Sequence, residues 1–243
     1  MLPIVGWDGA ARARHAKLSH ERTRQTPTRL ITVSLMAPIG FARLYQLLRS
    51  ALGPQAWWPA DGPFEMMLGA VLTQNTAWHN VERSVAALAR AGLLRPTALL
   101  DAEPDALRAL IAPSGFMTAK TQACRGLARW VVDHDALAGG VAAWPDAALR
   151  ADLMSLRGVG PETADAIMLY AFARPCFVWD AYARRLLTAA GHPVATGYEA
   201  TRRLLDPVFC RARFSLEQCQ ELHGLVDEAG KRARRDGWDW LLS

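Results

Sequence analysis

The chain has 243 residues, of which 51% are hydrophobic and 21% charged. That is enough for one large domain or two lobes sharing an interface, and it excludes a disordered or fibrous chain. A formal charge of +5 and a pI of 9.3 favour a polyanionic partner. No apolar run approaches the roughly 18–20 residues of a membrane span, so no membrane partner is expected. The start lacks the basic-then-apolar pattern of a secretory signal, and a cytoplasmic setting, nucleoid-associated in a bacterium, is expected.

Cys124, Cys176, Cys210 and Cys219 form neither a close-spaced zinc knuckle nor a disulfide framework, which points to a reducing compartment. The six histidines show no ligand spacing, so no metal site is expected. Only Lys17, Lys120 and Lys231 are lysines, so chemistry that needs an amine has few candidates.

Residues 1–35 have no sustained apolar period and carry Arg12, Arg14, Lys17, Arg22, Arg24 and Arg29 against Asp8 and Glu21. They are read as a disordered basic tail. From Phe41 the apolar residues Leu44, Leu47, Leu48 and Leu52 recur at helical spacing and stop at Gly53-Pro54. Further helices are predicted from Pro63 to Leu72, around Val81, Val85 and Leu88, and over 105–111, 119–133, 147–156, 161–172, 181–190, 199–210 and 215–235. No stretch alternates as a strand does, so the fold class is all-α with short Gly- and Pro-containing loops.

The most informative stretch is Leu153 to Phe172, in which Gly158-Val159-Gly160 separates two helical patterns and Pro161 opens the second. Two glycines allow a tight turn with exposed amides, and a helix start of this kind binds anions. It reads as a helix-hairpin-helix phosphate clamp, with an ordinary helix–helix turn as the plainer alternative. Val178-Trp179-Asp180-Ala181-Tyr182 follows, placing an acid directly before another amphipathic helix. By itself Asp180 is equally an N-cap, and the two roles are compatible.

The ordered set of Leu68-Gly69 through Thr73-Gln74-Asn75-Thr76, Ser114-Gly115-Phe116 with Lys120 through Leu127, the Gly158-Val159-Gly160 hairpin, and Val178 to Tyr182 resembles the endonuclease III superfamily of DNA glycosylases over roughly residues 40–235. Two departures select a branch. The lyase-competent members carry a lysine two residues after the second hairpin glycine, and this chain has Glu162, which cannot form an imine. An iron–sulfur cluster needs four compact C-terminal thiolates, and only Cys210 and Cys219 lie in that region, so no cofactor is expected. With Trp57-Trp58-Pro59 upstream, the chain is similar to the endonuclease III-like 3-methyladenine DNA glycosylases.

That resemblance implies a two-lobed fold, with 64–171 as the central lobe ending in the hairpin and 36–63 plus 172–243 as the other, and an active-site cleft between them. It implies Asp180 and Lys231 as the catalytic residues, with Lys231 steadying the ionised Asp180 or holding an anion there, and Trp57, Trp58 and Trp78 as walls of the base pocket. Gln74 fills the gap left by the flipped base, and Arg157, Gly158, Gly160 and Thr163 contact DNA. The expected partner is double-stranded DNA containing damaged bases, bound by a monomer, and the expected product is an abasic site. The plainer readings are tryptophans buried for packing, Glu162 as a solvated first-turn acid, and Lys231 on an exposed basic face with Arg232, Arg234 and Arg235. Two other functions compete: a bifunctional glycosylase and lyase acting on oxidised pyrimidines through Lys231 or another amine, and a non-catalytic module that binds distorted duplexes.

Overall fold

A computed structural model describes residues 37–242, and the expected basic tail at 1–35 lies outside the described residues. Every regular element among them is helical: α1 (Phe41–Leu52), α2 (Pro63–Leu72), α3 (Trp78–Arg90), α4 (Pro96–Asp101), α5 (Pro104–Leu110), α6 (Met117–Asp133), α7 (Asp146–Ser155), α8 (Pro161–Tyr170), α9 (Ala181–Ala189), α10 (Tyr198–Cys210), α11 (Leu216–Asp236) and α12 (Asp239–Leu242), with single 3-10 turns at Ala112–Ser114 and Ala136–Ala138. No described helix is long and apolar enough to cross a membrane.

The termini follow from local chemistry. Pro63, Pro96, Pro104 and Pro161 each stand at the first helical position, where their missing N–H costs nothing. Ser215 and Gln218 close α11 with a reciprocal capping box, satisfying two otherwise orphaned donors. Lys120 is buried in α6, where its ammonium donates to Leu72 O at 2.8 Å and Ser114 O at 2.7 Å and so caps the C-terminal end of α2.

The buried apolar side chains form two cores. In the first, α2 is covered on nearly every side, from Phe64 to Leu72, and is packed by α3, α6 and α8, with α7 against α8. The second is built by α1, α9, α10 and α11 around the fully buried Trp179, with Phe41 edge-on to Phe177, Trp179 and Phe209. Helix α8 connects them: Ile167 and Met168 belong to the first core and Leu169 to the second. Trp58 and Ala60 pack against the first core although they precede α2.

A polar network crosses between the cores. Arg150 of α7 forks onto Asp165 of α8 at 2.6 and 3.1 Å and also bonds Glu199 of α10, while the Tyr198 hydroxyl donates to Asp165 at 2.8 Å. Removing one partner of such a buried pair typically costs about 3–5 kcal/mol, so α7 and α8 are held firmly against α10. Helices α4 and α12 are absent from the sequence-based expectation. Each is short and buries one residue, Leu99 or Leu241, so neither shows a period.

Candidate active site

The loop between α7 and α8 is a tight hairpin. Gly158 has φ +88, and a Cβ there would stand 2.6 Å from the Ala123 Cβ, so both the backbone angle and the space demand glycine. Val159 is buried and anchors the turn, while Arg157 and Gly158 are exposed. Gly160 precedes α8 without a side-chain cap, leaving first-turn amides open to an anion. Gln74 ties the turn after α2 to this hairpin, its amide donating to Gly158 O at 2.8 Å and to Thr163 Oγ1 at 3.0 Å. Thr163 is buried, so its side chain serves this tie, and the neighbouring Asn75, with φ +54, is the exposed residue of the turn.

Beside the hairpin opens a cavity of about 580 Å³ that brings together Trp57, Trp58, Trp78, Gln74, Glu162, Thr163, Asp180 and Lys231. Most residues singled out from sequence therefore converge; Arg157, Gly158 and Gly160 stay outside the lining, on the hairpin. The three indoles contact one another, with centroids 5.1 to 5.4 Å apart. Trp78 is steadied by donating to Glu82 Oε1 at 2.9 Å. Helical glycines make room for these walls. A Cβ at Gly69 would meet the Trp58 indole at 3.4 Å, one at Gly224 would stand 2.7 Å from the Trp57 Cβ, and one at Gly230 would stand 2.2 Å from the Tyr182 ring.

Asp180 is the N-cap of α9, its Oδ1 accepting from Ala183 N at 2.7 Å. Burial pushes its carboxyl from the ordinary 3.8 up to about 7, with Glu162 and Asp227 adding repulsion against the bonds from the helix amides. Glu162 is exposed at the lip; its carboxyl is raised by desolvation and partly relieved by Arg184. It therefore faces Asp180 as a second acid instead of being a freely solvated first-turn residue.

Lys231 shares the cavity with Asp180 but pairs with Asp227 at 2.5 Å, with Glu228 at 3.8 Å. Burial alone would lower the Lys231 ammonium; the bond to Asp227 outweighs that and holds it above its usual value. Sequence reasoning did not assign a role to Asp227, Tyr182 or Tyr170. The spacing of His223, Asp227 and Lys231, four residues apart on one helix, is the signal that marks a shared face. Cys124 is buried in the first core and Cys219 in the second, Cys176 is half-buried, Cys210 is exposed, and no group of three potential metal ligands is found among the described residues.

Residues 68–209 match the family model described as HhH-GPD superfamily base excision DNA repair protein. The chain is 39% identical over 193 residues, 78% of its length and 86% of the relative's, to a Methanocaldococcus jannaschii protein named as a DNA repair glycosylase. It is 29% identical over 129 residues, 53% of its length and 57% of the relative's, to Endonuclease III of Thermotoga maritima. Among solved structures, the H. pylori 3-methyladenine DNA glycosylase MagIII bound to 1,N6-ethenoadenine superposes with a TM-score of 0.66 at 25% identity, covering 78% of this chain and 97% of that one. A trapped endonuclease III–DNA covalent intermediate superposes with a TM-score of 0.61 at 17% identity, covering 76% and 82%, which extends the likeness of fold.

Proposed function

The chain belongs to the HhH-GPD superfamily of base excision DNA repair proteins and is a DNA glycosylase, and we propose that it is a monofunctional enzyme for alkylated purines. It hydrolyses the N-glycosidic bond of a flipped 3-methyladenine-type base in duplex DNA and leaves an abasic site. The observation that carries this reading is a box of three mutually contacting indoles sharing one cavity with Asp180.

Alkylation at N3 or N7 makes a purine cationic, so the leaving group needs little acid help and recognition is the harder task. Electron-rich indole faces stack best on a cation, a preference worth roughly 0.5–2 kcal/mol depending on desolvation. Flipping costs a few kcal/mol of stacking and pairing, which Gln74 offsets by moving from the hairpin into the gap. The amides beside Gly158 and Gly160, with Arg157, hold a backbone phosphate, so affinity falls as salt rises. The two cores are read as the two lobes, 64–171 and 36–63 plus 172–243 apart from Trp58 and Ala60, which pack on the first core, and Leu169, which belongs to the second, with the base entering between them.

In the reaction the C1′–N bond breaks with its electron pair going to the base, which leaves neutral. The Asp180 carboxylate stabilises the oxocarbenium-like sugar, orients a water for attack at C1′ and receives its proton. Only the ionised form does this, so chemistry rises through the range where Asp180 loses its proton.

Two observations support a monofunctional, cluster-free enzyme. Lys231 is held protonated by Asp227, which withholds the free amine that an imine requires. Cys124 lies in the first core, away from Cys219 in the second, so the cysteines offer no compact set of four thiolates, and a purified protein free of iron is expected. The decisive experiment is base release from methylated duplex DNA with a parallel strand-nicking assay. Release of methylated purines without nicking is expected. Nicking together with a borohydride-trapped adduct would establish the lyase alternative, and DNA binding without release of any base would refute the enzyme reading.

A further inference from the structure

Helix α11 presents Lys231, Asp227 and His223 to the cavity at steps of about 6 Å. Lys231 is exposed, Asp227 lies between, and His223 is innermost, packed against Trp58 and Tyr170 with centroids 6.5 and 5.7 Å apart. Behind the pocket wall, the Tyr170 hydroxyl donates to Gln220 O at 3.1 Å and lies 2.9 Å from His223 Nδ1.

A phenol has one proton, and a backbone carbonyl can only accept. With that proton directed to Gln220, the second bond requires Nδ1–H of His223 as its donor. The neutral imidazole then keeps a lone pair on Nε2. Burial pushes the His223 pKa down to about 4 against a partial opposing pull from Asp227, so the ring is neutral at physiological pH. Nε2 has no hydrogen-bond partner among the described residues, and His223 lines the cavity.

We propose that His223 determines specificity: its Nε2 accepts a hydrogen bond from the exocyclic amine of a flipped adenine-type base and disfavours the C6 carbonyl of a guanine-type base. The inference rests on the glycosylase reading and narrows it. In an alkylated adenine, positive charge spreads onto the exocyclic amine and strengthens it as a donor to a neutral acceptor. A guanine presents oxygen at the same position, so two acceptors face each other and both stay unpaired. The uncharged ring also adds no repulsion toward a cationic base. Tyr170 acts as a positioning residue, holding the proton on Nδ1.

The test uses the full chain on duplex DNA alkylated to contain both 3-methyladenine and 3-methylguanine, with the released bases separated by chromatography. A kcat/KM ratio of roughly tenfold in favour of 3-methyladenine is expected from one charge-assisted bond gained and one acceptor left unpaired. His223→Ala, and separately Tyr170→Phe, should each reduce that ratio several-fold by slowing 3-methyladenine release, with folding verified by thermal melts. Long-range proton–nitrogen NMR of the imidazole should find the proton on Nδ1. Equal or faster release of 3-methylguanine, a ratio unchanged in both variants, or a proton on Nε2 would overturn the proposal. Titration of tryptophan fluorescence with the two free bases reads the pocket without catalysis. Preferential binding of 3-methyladenine with no release from DNA would support His223 while refuting the glycosylase reading; release without any preference would refute His223 alone.

Discussion

Replacing Asp180 with Asn separates what this side chain costs the fold from what it does in the cavity. The carboxyl is raised from 3.8 to about 7 by burial and by Glu162 and Asp227. In the unfolded chain it ionises near 3.8. Between these values the unfolded state binds fewer protons than the folded one, so this group lowers stability as pH rises from about 4 and exerts its full cost above about 7. A displacement of that size corresponds to about 4 kcal/mol at alkaline pH, and partial exposure at the cavity roughly halves it. The Asn amide oxygen can still accept from Ala183 N, now at 2.7 Å from Oδ1, so the cap of α9 survives. Asp180→Asn should therefore be about 2 kcal/mol more stable than the parent at pH 8.5 and nearly equal to it at pH 4. Denaturant melts at the two pH values measure this, while base-release assays should find no turnover with DNA binding retained. A variant less stable than the parent at pH 8.5, or the same difference at both pH values, would refute the burial argument; undiminished turnover would refute the catalytic one.

Base release should rise with pH through a midpoint near 7 as Asp180 ionises, and Glu162→Gln should move that midpoint down by removing a neighbouring negative charge; a pH–rate profile of both proteins checks this. Gly158→Ala should destabilise the chain by about 2 kcal/mol and weaken DNA affinity, because a left-handed angle and a Cβ contact at 2.6 Å both oppose it; thermal melts and a binding titration read the two effects. Arg157→Ala should weaken DNA binding alike across sequences and reduce the slope of log affinity against log salt by about one.

Much of the fold is legible in the residue order because its signals are local. The period of Phe41, Leu44 and Leu48, the first-turn prolines and the Ser215–Gln218 capping box each act within one or two helical turns. The hairpin is legible for the same reason: Gly158 supplies a left-handed angle, and Gly160-Pro161 starts the next helix. Helices α4 and α12 leave too few residues for a period, and α2, buried on almost every side, shows its apolar content but not which neighbours cover it.

By itself the sequence determined the helices, the hairpin and the acid that caps α9, since each depends on the shape and hydrogen-bonding groups of neighbouring residues. Only the tertiary structure decided the chemistry of the cavity. How far the Asp180 carboxyl is raised and which edge of His223 is left open follow from side chains far apart in the chain meeting at short range, whereas the Lys231–Asp227 pair is local, four residues apart on α11. Charge interactions and desolvation depend on those distances and on the exclusion of water, and neither is encoded in the spacing of residues along the chain.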